Sequence, residues 1–141
     1  LRRVDQAAQV TAAMQIFLRL FRANRSDKAA FMTEAMTDFF HRLAANLAAS
    51  DLLRLYFLDL DGQPIAATMC IEHRSTVYLY NNGYDAAYQA LSVGLLSKAL
   101  TIKASIRDGC QVYDFLKGSE VYKKRLGGKP VNIHRCILDL D

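Results

Sequence analysis

Apolar positions in the first part of the chain recur with a helical period. Met14, Phe17, Leu18 and Phe21 fall at i, i+3, i+4 and i+7, which predicts a helix over residues 6–23 ending near Asn24. Phe31, Ala35, Phe39 and Leu43, flanked by Met32, Met36 and Leu47, predict a second helix that starts at Ser26 with a Ser26 or Asp27 cap. The period then changes. Residues 52–60 are apolar on both faces apart from Arg54 and Asp59, which predicts a strand inside a sheet. Asp61-Gly62 marks a tight hairpin, because a two-residue turn of the favoured hand needs positive φ at both centres. Residues 65–72 pair back, His73-Arg74-Ser75 turns again, and residues 76–81 form a third strand. Asn82-Gly83-Tyr84-Asp85 should break it.

Leu95, Ala99, Ile102 and Ile106 predict a third helix, capped by Ser92 and stopped at Gly109. Residues 111–116 follow as a strand reached by a helical crossover, so they should run parallel to the third strand. A short helix over 120–126 ends at Gly127-Gly128, and residues 131–138 read as a closing strand. The expected fold is α/β (α+β): a mixed central sheet, an antiparallel meander plus one parallel strand, with helices on both faces.

Composition narrows the class. A chain of 141 residues suits one domain, and no apolar run approaches the roughly 20 residues that span a bilayer. Cys70, Cys110 and Cys136 are an odd, scattered set with no CxxC. They argue against a disulfide framework or a zinc site, and Cys70 and Cys136 read as buried reduced thiols of a cytoplasmic protein. No metal site is expected. The net charge of +4 suits an anionic ligand but is too small to argue for nucleic acid. A first residue of Leu rather than Met suggests a domain of something longer.

The densest polar chemistry lies in Tyr113-Asp114-Phe115-Leu116-Lys117-Gly118 and Tyr122-Lys123-Lys124-Arg125-Leu126-Gly127-Gly128. An acid, a phenol and a basic cluster stand where a strand stops, which is where α/β proteins bind ligands. With Leu55-Tyr56-Phe57, Asp61 to Ala67, Tyr78 to Asn81 and Gly83-Tyr84-Asp85, these residues make essentially the whole chain resemble a GNAT-superfamily acyltransferase. More narrowly, it resembles the CelD-like acetyltransferase domain, a relative of the FemAB aminoacyltransferases.

The resemblance implies an N-acyltransferase that moves an acyl group from acetyl-CoA or another acyl-CoA to a primary amine, such as an amino sugar of a cell-surface polysaccharide. It also implies that residues 1–141 are one GNAT-like domain, the C-terminal half of a tandem protein with an N-terminal GNAT-like partner. The alternatives are an aminoacyl-tRNA-dependent FemAB-type transferase and a non-catalytic GNAT-like scaffold. By resemblance, Ser92, Val93, Gly94 and Leu95 hold the cofactor phosphates at a helix start. Only one glycine of the superfamily's fuller Gln/Arg-x-x-Gly-x-Gly/Ala pattern is present, and Ser92 and Gly94 equally read as an ordinary helix start.

Backbone N–H groups of Tyr80, Asn81 and Asn82 are candidate donors to the thioester oxygen. Asn82-Gly83 also reads as a plain turn. Tyr122 is the candidate acid for the leaving thiolate, or a packing aromatic. Asp114 is the candidate base if burial raises its pKa, or else an acceptor-amine binder or a loop cap; Glu72 and His73 are alternatives. Lys123 is the candidate for charge neutralisation, or a solvated helix face. Tyr84, Phe115 and Gly118 complete the candidate substrate wall.

Overall fold

The computed structural model describes residues 1–4, 6–24 and 32–138. A short strand, β1 (Arg2–Val4), precedes the first helix and pairs antiparallel with β2 (Leu53–Leu60), Arg2 opposite Phe57 and Val4 opposite Leu55. Three residues are too few to show an alternation, so the hydrophobic pattern does not announce β1. Charge guards this edge: Arg2 pairs with Asp59 at 3.1 Å and Arg3 with Asp108 at 2.8 Å.

Helix α1 (Ala7–Asn24) buries the expected stripe of Met14, Phe17, Leu18 and Phe21. Helix α2 (Glu34–Ala49) starts on Thr33, whose Oγ1 accepts a hydrogen bond from the Met36 N–H. The expected start at Ser26 or Asp27, and Phe31, lie outside the described residues. The buried phase of α2 differs from the expectation: Phe40 and Ala44 are inside, and Phe39 is 46% exposed. Aromatic packing decides this. Phe40 sits 6.3 Å from Phe17, 5.9 Å from Phe21 and 6.1 Å from Tyr80, ring centre to ring centre, while Phe39 only caps its outer side. Each such fully buried side chain contributes roughly 1.5–3 kcal/mol.

Strands β2, β3 (Gln63–His73) and β4 (Thr76–Tyr84) form the meander. Asp61 and Gly62 have the positive φ expected of them, and Arg74 and Ser75 repeat that turn. Strand β4 does not break at Asn82 but runs on to Tyr84, and a bulge accounts for the polar run. Cys70 faces Leu79 while Met69 faces Asn81, so Tyr80 is an extra residue. The extra residue reverses the alternation. Val77 and Leu79 point towards one face before it, Asn82 and Tyr84 towards the same face after it, and Tyr80 packs on Phe40 on the other.

Helix α3 (Val93–Arg107) carries the chain to β5 (Val112–Asp114), which pairs parallel with β4, Thr76 opposite Val112 and Tyr78 opposite Asp114. The sheet is mixed, five-stranded, in the order β1-β2-β3-β4-β5. Helices α1 and α2 cover one face and α3 the other. No described helix is long and apolar enough to cross a membrane.

Two expectations are corrected here. The predicted stripe of α3 does not face the sheet: none of Leu95, Ala99, Ile102 and Ile106 is buried, and Ile106 is 69% exposed. The buried side is Val93, Ser97, Lys98, Thr101, Ala104 and Ser105, polar for the most part. Small hydroxyls let the helix lie close to the strands, and each bonds a carbonyl of the preceding turn: Ser97 to Gly94, Thr101 to Ser97, Ser105 to Thr101. The predicted closing strand is also not formed. Residues 131–138 make no strand, Val131, Ile133, Ile137 and Leu138 are exposed, and so is Cys136 within them. Their pattern suits a strand, but no described strand lies alongside to pair with them. A helix α4 (Val121–Arg125) ends the regular structure.

Candidate active site

The ladder between β4 and β5 stops at Tyr78 and Asp114, although β4 continues to Tyr84. The two parallel strands therefore part at their C-terminal ends. A cavity of about 340 Å³ lies there, between the start of α3 and helix α4. Tyr84, Gln89, Ser92, Val93, Gly94, Leu95 and Lys98 line one side, and Tyr122 and Arg125 the other. Six of the residues singled out from the sequence thus meet around one space: Tyr84, Ser92, Val93, Gly94, Leu95 and Tyr122.

The start of α3 is open electrically. Ser92 ends a 3-10 turn (Ala86–Leu91) in the left-handed region, φ 52, and its side chain caps nothing among the described residues. Its carbonyl accepts the N–H groups of Leu95 and Leu96 at 2.9 Å each. The first turn holds no acid, so the positive end of the helix dipole faces the cavity uncompensated. The expected Ser92 side-chain cap is thus absent. Gly94 has a packing reason: a Cβ there would come within 2.8 Å of the Tyr84 ring.

At the β4 bulge, the Asn82 N–H donates to Asn81 Oδ1 at 3.0 Å. The candidate oxyanion donor is therefore occupied by its neighbour's amide. The Asn82 side chain accepts from Lys98 Nζ at 3.1 Å, and the same ammonium donates to the Gly94 carbonyl at 2.7 Å and lies 4.6 Å over the Tyr122 ring. Lys98 is only 4% exposed. Sequence reasoning missed it. The signal available was the polar i, i+4 series Ser97, Thr101, Ser105, which marks the sheet side of α3 and puts Lys98 beside it.

Tyr122 is half-buried, with Phe115 6.1 Å away edge-on and Tyr113 beyond it. Burial first, and the Glu120 charge second, push its phenol up to about 12. Phe115 thus supports Tyr122 rather than lining the cavity. Burial also pushes the Cys70 thiol up to about 12, and the Tyr113 phenol, 3.8 Å from it, is pushed up more strongly.

The remaining candidates form a loop clamp. Asp114 is exposed, so the burial expected of a base is not met, and its Oδ1 accepts the Leu116 N–H at 2.7 Å. Lys123 is buried; its ammonium donates to the carbonyls of Leu116, Lys117 and Gly118 and pairs with Glu120 at 2.9 Å. Gly118 has φ 123, a conformation that favours glycine. Glu72 pairs with Arg54, and His73 is exposed in the opposite turn of the meander, both far along β3 from the cavity. Among the described residues, no group of three or more His, Cys, Asp or Glu could hold a metal ion.

The clamp has a pH signature. The Lys123 hydrogen bond, the leading cause, lowers the Glu120 carboxyl below the usual carboxylate range. A depressed carboxylate adds stability above its unfolded pKa and loses it as pH falls through the folded value. Because the Glu120 side chain is 56% exposed, solvent screening keeps this contribution small. Glu120→Gln is expected to cost under about 1 kcal/mol in urea melts at neutral pH. The gap between variant and parent should close once the pH is below the carboxylate range.

A family model described as an acetyltransferase (GNAT) domain matches residues 1–124. Comparison with curated protein sequences finds no match. Among solved structures, the chain resembles an aminoglycoside acetyltransferase, HMB0005, from an uncultured soil metagenomic sample, at 12% identity over 99% of this chain and 97% of that one, TM-score 0.67. It also resembles a GCN5-related N-acetyltransferase from Ralstonia eutropha JMP134, at 17% identity over 97% and 96%, TM-score 0.63. A third is AAC(6')-Iy in complex with a bisubstrate analog, CoA-S-monomethyl-acetylneamine, at 13% identity over 99% and 95%, TM-score 0.61.

Proposed function

The chain belongs to the GNAT acetyltransferase domain family, and on that premise we propose that it moves an acyl group from acyl-CoA to a primary amine, with an amino sugar as acceptor. The observation that carries this is the open helix start. The uncompensated N-terminus of α3 enters the gap between β4 and β5 opposite Tyr122. A cavity with N–H groups and a dipole at one end, Arg125 at its rim and a phenol on its wall fits an anionic thioester donor.

The donor supplies the activated acyl group. Val93 and Gly94 hold its phosphates at the helix start, Leu95 lining the cavity beside them with its N–H on the Ser92 carbonyl, and Arg125 adds charge. The amide N–H of Asn82 meets the acyl oxygen when Asn81 yields its place. Tyr122 hands its proton to the departing sulfur. Lys123 and Asp114 act by fixing the loop ahead of Tyr122 rather than by touching the reactants. The amine's own proton passes to water in the open cavity.

The acceptor reading draws on similar structures named as aminoglycoside acetyltransferases, one of them in complex with sisomicin. A cell-surface polysaccharide, the CelD-like and FemAB-related placement, and a cytoplasmic site of action belong to the same proposal. So does a second GNAT-like domain of a longer chain. The outward apolar side of α3, with Leu96 44% and Ile106 69% exposed, gives such a partner a surface to cover.

Calorimetric titration with acetyl-CoA tests the donor site. The parent should bind saturably. Gln89→Glu sets a carboxylate of the same shape at the exposed cavity edge and is expected to weaken binding about tenfold, the scale of a charge against a helix terminus. A folded parent that does not bind acetyl-CoA would remove this reading.

A further inference from the structure

Lys98 needs a reason to be where it is. It lies on the sheet side of α3, 4% exposed, in a position a hydrophobic residue would fill at no electrostatic cost. Three groups that attract an ammonium surround it: the Asn82 amide oxygen at 3.1 Å, the Gly94 carbonyl at 2.7 Å and the face of the Tyr122 ring at 4.6 Å. The floor beneath is polar too. Thr68 stands opposite Asn82 on β3 and is fully buried, and its Oγ1 finds no hydrogen-bond partner among the described residues. A fixed positive charge is therefore installed between the helix start and the phenol.

We propose that Lys98 is a positioning residue for Tyr122: its ammonium seats the ring and stabilises the phenolate that remains after proton transfer. This rests on Tyr122 acting as the acid in the reaction proposed above. There the amine lone pair attacks the acyl carbon, the C–S bond breaks with its electron pair going to sulfur, and the Tyr122 hydroxyl proton goes to that sulfur. The amine's proton goes to water. A phenolate is left in a half-buried wall and regains a proton from water before the next turnover. Without a counter-charge that phenolate would be costly to form, because burial and Glu120 both oppose it. Around the ring stand Lys98 over its face, Phe115 edge-on with Tyr113 beyond, Tyr84 and Arg125 on the shared cavity wall, and Glu120 and Lys123 on its own segment. Lys98 is the buried cation over the ring face, its ammonium held by Asn82 and Gly94, whereas the Lys123 ammonium is engaged by the loop carbonyls and Glu120. The Asn82 contact ties the same ammonium to the β4 bulge, so the acid and the oxyanion donor share one reference point.

The test replaces Tyr122 with a difluorotyrosine whose phenol titrates in the neutral range and follows its fluorine signal against pH in the full chain. Lys98→Gln keeps a donor for Asn82 and Gly94 but removes the charge; Lys98→Met removes both. Circular dichroism and melting establish that each variant is folded. The phenol midpoint should rise by about one pH unit or more in Lys98→Gln, since a lost counter-charge disfavours the phenolate. With natural Tyr122, kcat should fall about 10- to 100-fold while KM for acetyl-CoA moves less than about threefold. In a Tyr122→Phe background, Lys98→Gln should add less than about twofold, because the two act as one unit. An unchanged midpoint in folded Lys98→Gln, or losses that simply multiply, overturns the proposal. If the midpoint rises but the parent turns over no acetyl-CoA with any amine, the acyl-transfer reading fails while the Lys98–Tyr122 coupling stands.

Discussion

Tyr122→Phe is expected to lower kcat for acyl transfer about 100- to 1,000-fold, the usual worth of a placed general acid. The variant keeps the ring, and with it the contact to Phe115 and the seat under Lys98. Folding should therefore be unchanged, and KM for acyl-CoA should stay within about threefold, as when only a transition-state contact is lost. A general acid must be protonated to act. With the phenol pushed up to about 12, Tyr122 holds its proton at neutral and mildly alkaline pH. The kcat–pH profile of the parent should therefore show no alkaline fall that Tyr122→Phe abolishes. Stopped assays across pH with acetyl-CoA and an amino sugar check both points. Near-parental kcat in the variant would remove Tyr122 from the chemistry.

Gly83→Ala carries the largest expected effect on stability. Gly83 lies in β4 with its face against α1, and a Cβ there would sit 2.5 Å from Phe21 Cα and 2.6 Å from the Leu20 carbonyl carbon. These are backbone atoms of a helix whose neighbouring side chains are already buried, so they cannot step aside as a side chain would. The cost should reach about 3 kcal/mol or more, at the upper end for overpacking. Chemical denaturation reads it directly, and a loss under about 1 kcal/mol would mean that α1 has room to lift. A compensating pair cannot easily be found, because the obstruction is backbone rather than a replaceable side chain.

What could be read from the residues follows from how local the deciding physics is. The α1 stripe was legible because Met14, Phe17, Leu18 and Phe21 face a thick apolar core, and the two hairpins because Asp61-Gly62 and Arg74-Ser75 answer to turn geometry. Strand β5 and its parallel pairing followed from the crossover. The reading lost its footing wherever a longer-range contact chose between phases. Phe39 and Phe40 are equivalent in local pattern, and only the cluster of Phe17, Phe21 and Tyr80 selects Phe40. The Tyr80 bulge, which carries Asn82 and Tyr84 to the α3 side, depends on the register of β3. The underside of α3 is mostly polar, with Val93 and Ala104 its apolar members, so the apolar period marks the outer side and gives no sign of Lys98. At the site, Tyr122 and the helix start from Ser92 to Leu95 were legible as parts. The engagement of Asp114 and Lys123 in the loop was not, since it arises from carbonyls at Leu116, Lys117 and Gly118 that no side-chain pattern advertises.

The sheet keeps its two sides for different purposes. Phe17, Phe40, Phe57, Met14, Leu18, Leu53, Leu55 and Met69 all belong to the cluster under α1 and α2, and each is almost wholly buried. The side beneath α3 holds two smaller apolar groups, around Val77 and Leu79 and around Ile65 and Val93, interleaved with the hydroxyls of Ser97, Thr101 and Ser105 and one lysine. Most of the apolar burial that keeps the chain folded is thus remote from the cavity. Substitutions that reshape the cavity wall at Gln89, Leu95 or Arg125 spend little of that reserve. Changes in the cavity wall can therefore accumulate through many sequences while the fold endures, which lets a scaffold alter what it binds faster than its architecture.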